Sequence, residues 1–366
     1  MAALPPPSCP TVDAIFAAYE ATADAGWREH LGASLIGTGC ERALWYSFRW
    51  ASRARHTGRL LRLFETGNLA EARFVANLRR IGVTVLEVDP DNGRQWRLRD
   101  SSGHFGGNMD AVAKGFIEAP SAWHVVEFKT HSTKSFAKLT AEGVEKAKPL
   151  HFAQMQAYMH LAAIDRAFYL AVNKDTDELY QERIRRDAET GLRLVAKAQR
   201  VIGAGRPPAR ISEDPAWWEC RFCDHHAVCH EGAAPERHCR SCLHASPVAE
   251  GGWHCTRHGT PVTRREQEAG CAAHLYIPDL VQGEQVDAGE DWVSYRLLDG
   301  SAWRDGVPQE PASQFVPHGP CNRCGTNAYA IGPGKGPHPY GLTCSACGLA
   351  GRWLSKPAAR AMGLPA

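Results

Sequence analysis

The sequence of 366 residues lacks the features that mark membrane and secreted proteins. It contains no apolar run of about 18 residues, so we expect no transmembrane helix. The first ten residues lack the charged start and apolar centre of a secretory signal, which predicts a cytoplasmic protein with no membrane partner. An excess of one charge is also missing, since 42 Lys and Arg face 40 Asp and Glu. A nucleic-acid surface would therefore require local clustering of basic residues.

Cysteine, in contrast, is abundant, with 13 residues. In a reducing cytoplasm these residues are not expected to form disulfides, and cysteines at short spacing predict metal ligation instead. Seven of them lie between Cys220 and Cys271, and four lie between Cys321 and Cys347. The sequence therefore predicts several metal sites in its C-terminal half.

The pattern of apolar residues predicts an α/β fold with a mixed β-sheet flanked by helices. Helical spacing dominates residues 11–80, and Asp187–Ile202 is again helical. Strands and helices are expected between them, in the order Gly82–Val88, Gln95–Arg99, Gly106–Ala113, Trp123–Thr130 (strands), Thr133–Lys146, Leu150–Ala163 (helices), Ala167–Val172 and Leu179–Ile184 (strands). This order is not the regular alternation of a barrel.

A length of 366 residues predicts two or three domains at roughly 150 residues each. After residue 203 the sequence changes to short segments rich in Cys, His, Gly and Pro. We expect an α/β domain over residues 1–236 and small Cys-rich metal-binding modules at the C-terminus, over residues 237–278 and 318–366. Residues 279–317 are polar and rich in turn residues, which predicts a connector with little regular structure.

Acidic residues and a lysine stand at the end of one predicted strand and inside the next. Asp110 ends the glycine-rich strand, and Glu127, Phe128 and Lys129 follow in the next one. Along a strand Glu127 and Lys129 point to one face and Phe128 to the other. If the strands pair, Asp110, Glu127 and the Phe128 carbonyl share a divalent ion, and such oxygen ligands suit Mg²⁺ or Mn²⁺.

A glutamate and a lysine two residues apart are common on solvated strands, but here the neighbours Val125, Val126 and Phe128 are apolar. Burial of charges without partners is costly, and ion binding gives a reason to retain them. A bound ion would activate water and neutralise charge on a scissile phosphate, while Lys129 orients that water or stabilises the developing charge.

These residues resemble the RecB-type branch of the PD-(D/E)XK nuclease superfamily. The resemblance includes Gln154 and Tyr158, four residues apart on one helical face. It implies a restriction-endonuclease-like core and a DNA nuclease, closest to an exonuclease of recombination, repair or phage DNA processing. In the family a histidine that joins the metal ligands stands where this chain has Glu71. No phosphate-binding loop of a helicase is present, so unwinding would need a helicase or recombination protein as partner.

One early and three late cysteines, Cys40 with Cys220, Cys223 and Cys229, resemble the ligand set of iron–sulfur nucleases of the AddB and CRISPR-adaptation type. In those proteins four thiolates hold a [4Fe–4S] cluster. Thiolates also bind zinc, so Zn²⁺ remains an alternative. We interpret the site as a structural clip across the core.

Two further cysteine groups predict zinc. Cys239, Cys242, Cys255 and Cys271 match a Cys₄ site, with His254, His258 and His274 close enough in sequence to replace one ligand. Cys321 and Cys324 with Cys344 and Cys347 form two CxxCG motifs, completed by Gly325 and Gly348, and resemble a zinc ribbon. The ribbon fold serves DNA, RNA and protein binding alike.

Six arginines between residues 42 and 62 alternate with Trp45, Tyr46, Phe48 and Trp50. This pattern is typical of either a nucleic-acid surface or a helix with aromatic core residues and solvated arginines.

Two functions besides a DNA nuclease also remain open. One is a non-catalytic nucleic-acid- or protein-binding zinc protein on a nuclease-like fold, although Asp110, Glu127 and Lys129 are intact. The other is RNA processing by the same chemistry.

Overall fold

The computed structural model describes residues 9–23, 26–306, 318–344, 347 and 349–361. The helices of these residues are α1 (Pro10–Thr22), α2 (Glu41–Phe48), α3 (Gly58–Arg80), α4 (Thr133–Ala147), α5 (Pro149–Ala162), α6 (Ala188–Gly203), α7 (Trp218–Arg221), α8 (His226–His230), α9 (Arg264–Ala269) and α10 (Lys356–Ala361). The strands are β1 (Leu31–Gly32), β2 (Thr84–Leu86), β3 (Arg97–Arg99), β4 (Phe105–Asn108), β5 (Ala111–Phe116), β6 (Ala119–His131), β7 (Arg166–Asn173), β8 (Leu179–Arg185), β9 (Ala245–Pro247), β10 (Trp253–Cys255), β11 (Thr260–Pro261), β12 (Gly283–Ala288), β13 (Trp292–Leu297), β14 (Ala302–Gly306), β15 (Tyr329–Pro333), β16 (Tyr340–Cys344) and β17 (Ala350–Leu354).

A five-stranded mixed sheet of order β2-β5-β6-β7-β8 forms the centre of the fold. β6 and β7 are parallel, and the other neighbours are antiparallel. α4 and α5 connect the two parallel strands, as a crossover between parallel strands requires. The prediction of an α/β core with a mixed sheet flanked by helices, of the restriction-endonuclease type, is confirmed.

Helices cover both faces of this sheet because its strands are apolar on both sides. On one face Phe74 and Leu78 of α3 pack against Val126 and Phe128 of β6. On the other face Val125 of β6 belongs to a larger core that includes residues of α2, α5 and α6. Glu127, Lys129 and His131 share the side of Val125, since side chains alternate along a strand. The charged residues of β6 therefore lie on the face toward α5.

The predicted strand Gly106–Ala113 is in fact two strands, β4 and β5, which belong to different sheets. The Met109 N–H still donates to the Trp96 carbonyl oxygen, at 3.1 Å, whereas Ala111 already pairs with Val126 of β6. The chain thus changes its pairing partner at Asp110. Asp110 was predicted to end a strand. In the structure it lies between β4 and β5, directly before the first residue of β5.

The prediction of little regular structure for the connector is wrong over its described residues. β12, β13 and β14 form a three-stranded sheet, and residues 307–317 lie outside the described part of the chain. Val293 and Tyr295 alternate inward along β13 and are 6% and 1% exposed. This alternation supplies the apolar face that the polar composition of the segment obscured.

The aromatic residues interleaved with arginines form part of the core. Trp45, Tyr46, Phe48 and Trp50 are all at most 2% exposed. The Arg240 guanidinium lies 3.8 Å from the centroid of the Trp50 ring and donates to the Phe48 carbonyl oxygen at 3.2 Å. These aromatic rings are therefore unavailable for stacking on bases. The interpretation of the aromatic residues as core is correct, but Arg49 is 3% exposed and buried with them rather than solvated.

The described chain divides into two compact units. The first extends to Gln285 and includes Arg296–Ser301, and the second comprises Val286–Tyr295 and the described residues from Ala302 onward. Within the first unit, segment 237–278 packs directly on the α/β core: the His104 ring bonds to the Val248 carbonyl oxygen at 2.8 Å. None of the described helices is long and apolar enough to cross a bilayer.

Candidate active site

Two acidic residues stand opposite each other where β5 and β6 pair. Ala111 pairs with Val126, so the same antiparallel register places Asp110 opposite Glu127. The Phe128 N–H donates to Asp110 Oδ2 at 2.9 Å, which fixes the orientation of this carboxylate. Glu127 is fully buried. Because the chain changes sheets at Asp110, its side chain is free to face β6 rather than β3.

Lys129 is the cation of this cluster. Its Nζ forms an ion pair with Glu127 Oε1 and donates to the Phe128 carbonyl oxygen at 3.0 Å. Burial raises the pKa of Glu127 to about 7, against the opposing effect of Lys129 and with a further contribution from Asp110. Burial by itself would lower the pKa of Lys129, but the carboxylates of Glu127 and Asp110 outweigh it and raise that pKa. The ammonium therefore stays charged beside Glu127.

α5 contributes two side chains to the site. Gln154 Nε2 donates to Glu127 Oε2 at 3.1 Å. Tyr158, one turn later, donates its hydroxyl proton to the Asn108 carbonyl oxygen at 2.9 Å. The close approach of Tyr158 requires Gly107, because a Cβ at that position would lie 2.4 Å from the tyrosine oxygen. Gln154 thus positions Glu127, and Tyr158 holds the strand end before Asp110.

Glu71 of α3 reaches the same cluster and is half-buried. Burial, together with the nearby Asp110 carboxylate, raises the pKa of Glu71, and Lys129 opposes this shift. Three carboxylates therefore surround one ammonium group. Such a set of oxygen donors fits a divalent cation, because a cation offsets the burial and the mutual repulsion of the carboxylates, which together hold the pKa of Glu71 and of Glu127 above the ordinary value.

Three further polar residues on this face were not predicted from the sequence. His131 follows Glu127 and Lys129 on the same side of β6, and Tyr169 of β7 pairs in register with Glu127. His151 lies three residues before Gln154 on α5. Two signals in the sequence could have revealed the histidines. The two-residue period of side chains along β6 places His131 on the face of Glu127 and Lys129, and the three-residue spacing along α5 places His151 on the face of Gln154.

The first cysteine group lines one cavity of about 900 Å³. Cys40 precedes α2, and Cys220, Cys223 and Cys229 come from the segment of α7 and α8. No three of these four described thiols lie within 4.8 Å of one another. A single tetrahedral zinc with Zn–S bonds of about 2.3 Å separates its sulfurs by about 3.8 Å. The described thiols of this group, like those of Cys239, Cys242, Cys255 and Cys271, are therefore not gathered at the spacing of a tetrahedral zinc ion.

The second group lines a smaller cavity of about 140 Å³. Cys239, Cys242, Cys255 and Cys271 all border it. His258 Nε2 lies 3.7 Å from Cys271 Sγ. Of the other two histidines considered, His274 also borders this cavity but its Nε2 bonds to Ser241 Oγ at 3.2 Å, and His254 does not border it. Of these three histidines, His258 is thus the one whose ring lies next to a cysteine of the group.

The four sulfur atoms of the third group are arranged as the ligands of one metal ion would be. The Sγ atoms of Cys321 and Cys347 are 3.7 Å apart, and those of Cys324 and Cys344 are 3.5 Å apart. All four lie within 4.8 Å of one another, close to the 3.8 Å or so of tetrahedral zinc. Hydrogen bonds with Thr326 lower the pKa of Cys324 to about 6, which favours the thiolate. Gly325 has φ +76°, as the knuckle turn requires, and Gly348 lies outside the described residues.

Comparisons with known proteins were made for the whole chain. Among solved structures, the protein SSO0001 is 14% identical, with 60% of this chain and 95% of that chain covered and a TM-score of 0.37. An alkaline exonuclease from Laribacter hongkongensis is 16% identical, with 51% and 89% covered and a TM-score of 0.35. A phage-related exonuclease from Haemophilus somnus is 19% identical, with 38% and 68% covered and a TM-score of 0.29.

No curated protein sequence matches the chain. The family model of the PD-(D/E)XK nuclease superfamily matches residues 10–230, which is more than half of the chain and contains every residue of the carboxylate cluster. The chain therefore belongs to the PD-(D/E)XK nuclease superfamily.

Proposed function

We propose that the chain is a Mg²⁺- or Mn²⁺-dependent deoxyribonuclease of the RecB-like branch, acting as an exonuclease in DNA recombination, repair or phage DNA processing. The observation that carries the proposal is the convergence of Asp110, Glu127 and Lys129 at one point of the central sheet, inside the segment that matches the nuclease family. DNA is the substrate, and a helicase or recombination protein is the partner that would supply unwinding.

Four oxygen donors would hold the catalytic ion: the carboxylates of Asp110, Glu127 and Glu71 and the carbonyl of Phe128. All are hard ligands of the kind that Mg²⁺ and Mn²⁺ prefer. When bound, such an ion supplies a Lewis acid for the scissile phosphate and lowers the pKa of an attacking water. Gln154 keeps Glu127 in place through its bond to Oε2.

Lys129 is the residue we assign to the attacking water and to the developing charge. Its ammonium is held by Glu127 and by the Phe128 carbonyl, and its side chain is still 27% exposed. An ammonium group has three N–H donors, so two such contacts leave one for a substrate oxygen or a water. Tyr158 contributes by holding the Asn108 carbonyl, two residues before Asp110.

The test is degradation of labelled single- and double-stranded DNA with Mg²⁺ or Mn²⁺. We expect Asp110→Ala and Lys129→Ala each to lower the rate by at least about 10²-fold, because each removes a group that stabilises transition-state charge. Asp165→Asn is the matched control, since Asp165 is an exposed carboxylate in an ion pair with Arg186, outside the cluster. Activity that survives both substitutions would refute the assignment, and cleavage of RNA alone would replace DNA as substrate.

We further propose that Cys40, Cys220, Cys223 and Cys229 hold a [4Fe–4S] cluster that clips α2 to the segment of α7 and α8. The support is their position around one cavity, together with the resemblance of this set of one early and three late cysteines to the ligands of iron–sulfur nucleases. The thiolates of such a cluster bind different irons. Closing a loop of this length stabilises the fold by roughly 5 kcal/mol in the chain-entropy model.

Anaerobic purification tests the cluster. We expect a brown protein with visible absorbance and about four irons per chain, and Cys223→Ser should lose the colour and the iron together. Cys9→Ser, outside all three groups, should retain both. A colourless protein with zinc alone would show that zinc occupies this site. The two remaining cysteine groups, in segments 237–278 and 318–366, are proposed to bind one Zn²⁺ each.

A further inference from the structure

A chain of hydrogen bonds leads across the active-site face next to the carboxylate cluster. Lys148 Nζ donates to Ser135 Oγ, which lies 3.2 Å from His131 Nδ1. His131 Nε2 and His151 Nδ1 each lie 2.9 Å from the Tyr169 hydroxyl. None of the proposed catalytic residues takes part in these hydrogen bonds. The chain begins at an ammonium group and ends at a histidine of α5.

The ammonium group fixes the direction of this chain, because it only donates. Ser135 makes no other side-chain hydrogen bond in the described part of the protein, so its proton is used when it points to His131 Nδ1. His131 then donates from Nε2 to the Tyr169 oxygen, and Tyr169 donates to His151 Nδ1. In this arrangement the hydroxyl protons of Ser135 and Tyr169 and the ring N–H of His131 are all donated to a partner. The Nδ1 atom of His151 accepts, so the ring proton of His151 is on Nε2.

Both histidines are neutral in this arrangement. Burial, aided by Lys148 and Lys129, lowers the pKa of His131 to about 4. Burial and the same two cations, together with His131, lower the pKa of His151 to about 3. At neutral pH His151 is therefore an uncharged donor with a fixed tautomer.

The free end of the chain is close to the proposed metal site. His151 precedes Gln154 by three residues, so the two side chains lie on one face of α5, about 5 Å apart along the axis. Gln154 contacts Glu127 directly. On its other side, His151 borders with Lys148 the cavity of about 900 Å³ that the first cysteine group lines. Among the residues that the structure describes, none forms a hydrogen bond with His151 Nε2.

Resting on the proposed nuclease function, we propose that His151 is a DNA-binding residue whose Nε2–H donates to the phosphate next to the scissile one. Tyr169, His131 and Ser135 are positioning residues that act through His151, since they keep its donor on Nε2. A purely structural role would satisfy the buried Tyr169 hydroxyl equally well with either tautomer of His151, and would not require the outer nitrogen to be a donor.

DNA binding without cleavage gives the first test. The probes are fluorescein-labelled single-stranded and duplex oligodeoxynucleotides, whose Kd is measured by anisotropy without added Mg²⁺ or Mn²⁺. We expect His151→Ala and Tyr169→Phe to raise Kd about tenfold, and His151→Gln, which retains an N–H donor, to lie between wild type and His151→Ala. Tyr180→Phe is the matched control. Tyr180 lies on β8, next to the strand of Tyr169, and its hydroxyl donates to Glu182 of the same strand β8.

Turnover and the tautomer give the second test. Loss of a contact with a non-reacting phosphate, as in His151→Ala, should raise KM and leave kcat within about twofold, because such a contact is equally strong in the ground state and the transition state. Nitrogen chemical shifts should show His151 with its proton on Nε2 in the wild type and a shift toward Nδ1 in Tyr169→Phe. A wild-type Nδ1–H tautomer, or an unchanged Kd in His151→Ala, would overturn the proposal. A wild type that binds but does not cleave DNA would refute the nuclease function, and Kd alone would then decide the role of His151.

Discussion

At the scale of single residues, the most unusual feature is a fully buried glutamate. Glu127 has Lys129 and Gln154 as partners, and yet burial raises its pKa to about 7. One ammonium group does not compensate three carboxylates in a site shielded from water. The free energy of this cluster therefore depends on pH and on the presence of a cation.

The raised pKa predicts how Mg²⁺ stabilises the protein. Because the pKa of Glu127 in the folded protein lies above its ordinary value of 4.5, the buried carboxyl group contributes stability that is complete below about pH 4.5 and is lost as the pH rises through about 7. Mg²⁺ binds the ionised form. We expect the rise in Tm on adding Mg²⁺ to be small at pH 5 and larger by about 3 °C or more at pH 8.

The measurement is thermal unfolding at both pH values, with and without 
Mg²⁺. Glu127→Gln removes the titrating group while retaining the shape of the side chain, so its Mg²⁺-dependent rise in Tm should be small at both. An equal rise at pH 5 and pH 8 in the wild type would contradict the assignment of Glu127 as a ligand.

At the scale of secondary structure, the site depends on a change of partner between β4 and β5. β4 pairs with β1 and β3, and β5 pairs with β2 and β6. The glycines of β4 permit this arrangement: a Cβ at Gly106 would lie 2.0 Å from the Leu98 carbonyl oxygen, and one at Gly107 would meet Tyr158. The glycine-rich strand thus brings α5 and β3 close to the backbone before Asp110.

Substitution at Gly107 tests this close approach. We expect Gly107→Ala to displace Tyr158 and Asp110, to lower nuclease activity at least about tenfold, and to destabilise the fold by about 1–3 kcal/mol, the typical cost of overpacking. Activity and chemical denaturation are measured side by side. Gly203→Ala at the end of α6 is the control, because a Cβ there meets nothing within 4 Å. Full activity in Gly107→Ala would show that Tyr158 is not needed at its present position.

At the scale of the whole molecule, the chain combines a nuclease unit with a second unit that has its own core. In the second unit Tyr329 and Leu342 are each 1% exposed, and Cys321 and Cys344 pack beside them. This core is small, and the four thiols stand at tetrahedral spacing. A small domain of this kind is expected to derive much of its stability from a bound metal.

Removal of one thiol should therefore affect the second unit selectively. We expect Cys324→Ser to lower the zinc content by one ion per chain and to unfold residues 318–361, because metal binding and folding are coupled in such sites. Metal analysis and hydrogen exchange of this segment check the prediction. Cys9→Ser should change neither. Retention of zinc and of exchange protection in Cys324→Ser would show that this unit folds without a complete cysteine set.

Local patterns were enough to predict most of the central elements. The alternation along β6 placed Glu127 and Lys129 on one face, and the spacing along α5 placed Gln154 and Tyr158 on another single face, because both depend only on the period of the backbone. The short cysteine spacings likewise predicted a metal-ligand group at Cys321, Cys324, Cys344 and Cys347.

Tertiary structure decided what local patterns do not contain. The break at Asp110 follows from which strands pair, and the burial of Phe48 and Trp50 follows from the packing of segment 237–278, which supplies Arg240. The contact of His151 with Tyr169 joins a helix to a strand across the core. Pairing and packing join residues far apart in the chain, so their energies depend on the complete fold and leave no short-range signal in the sequence.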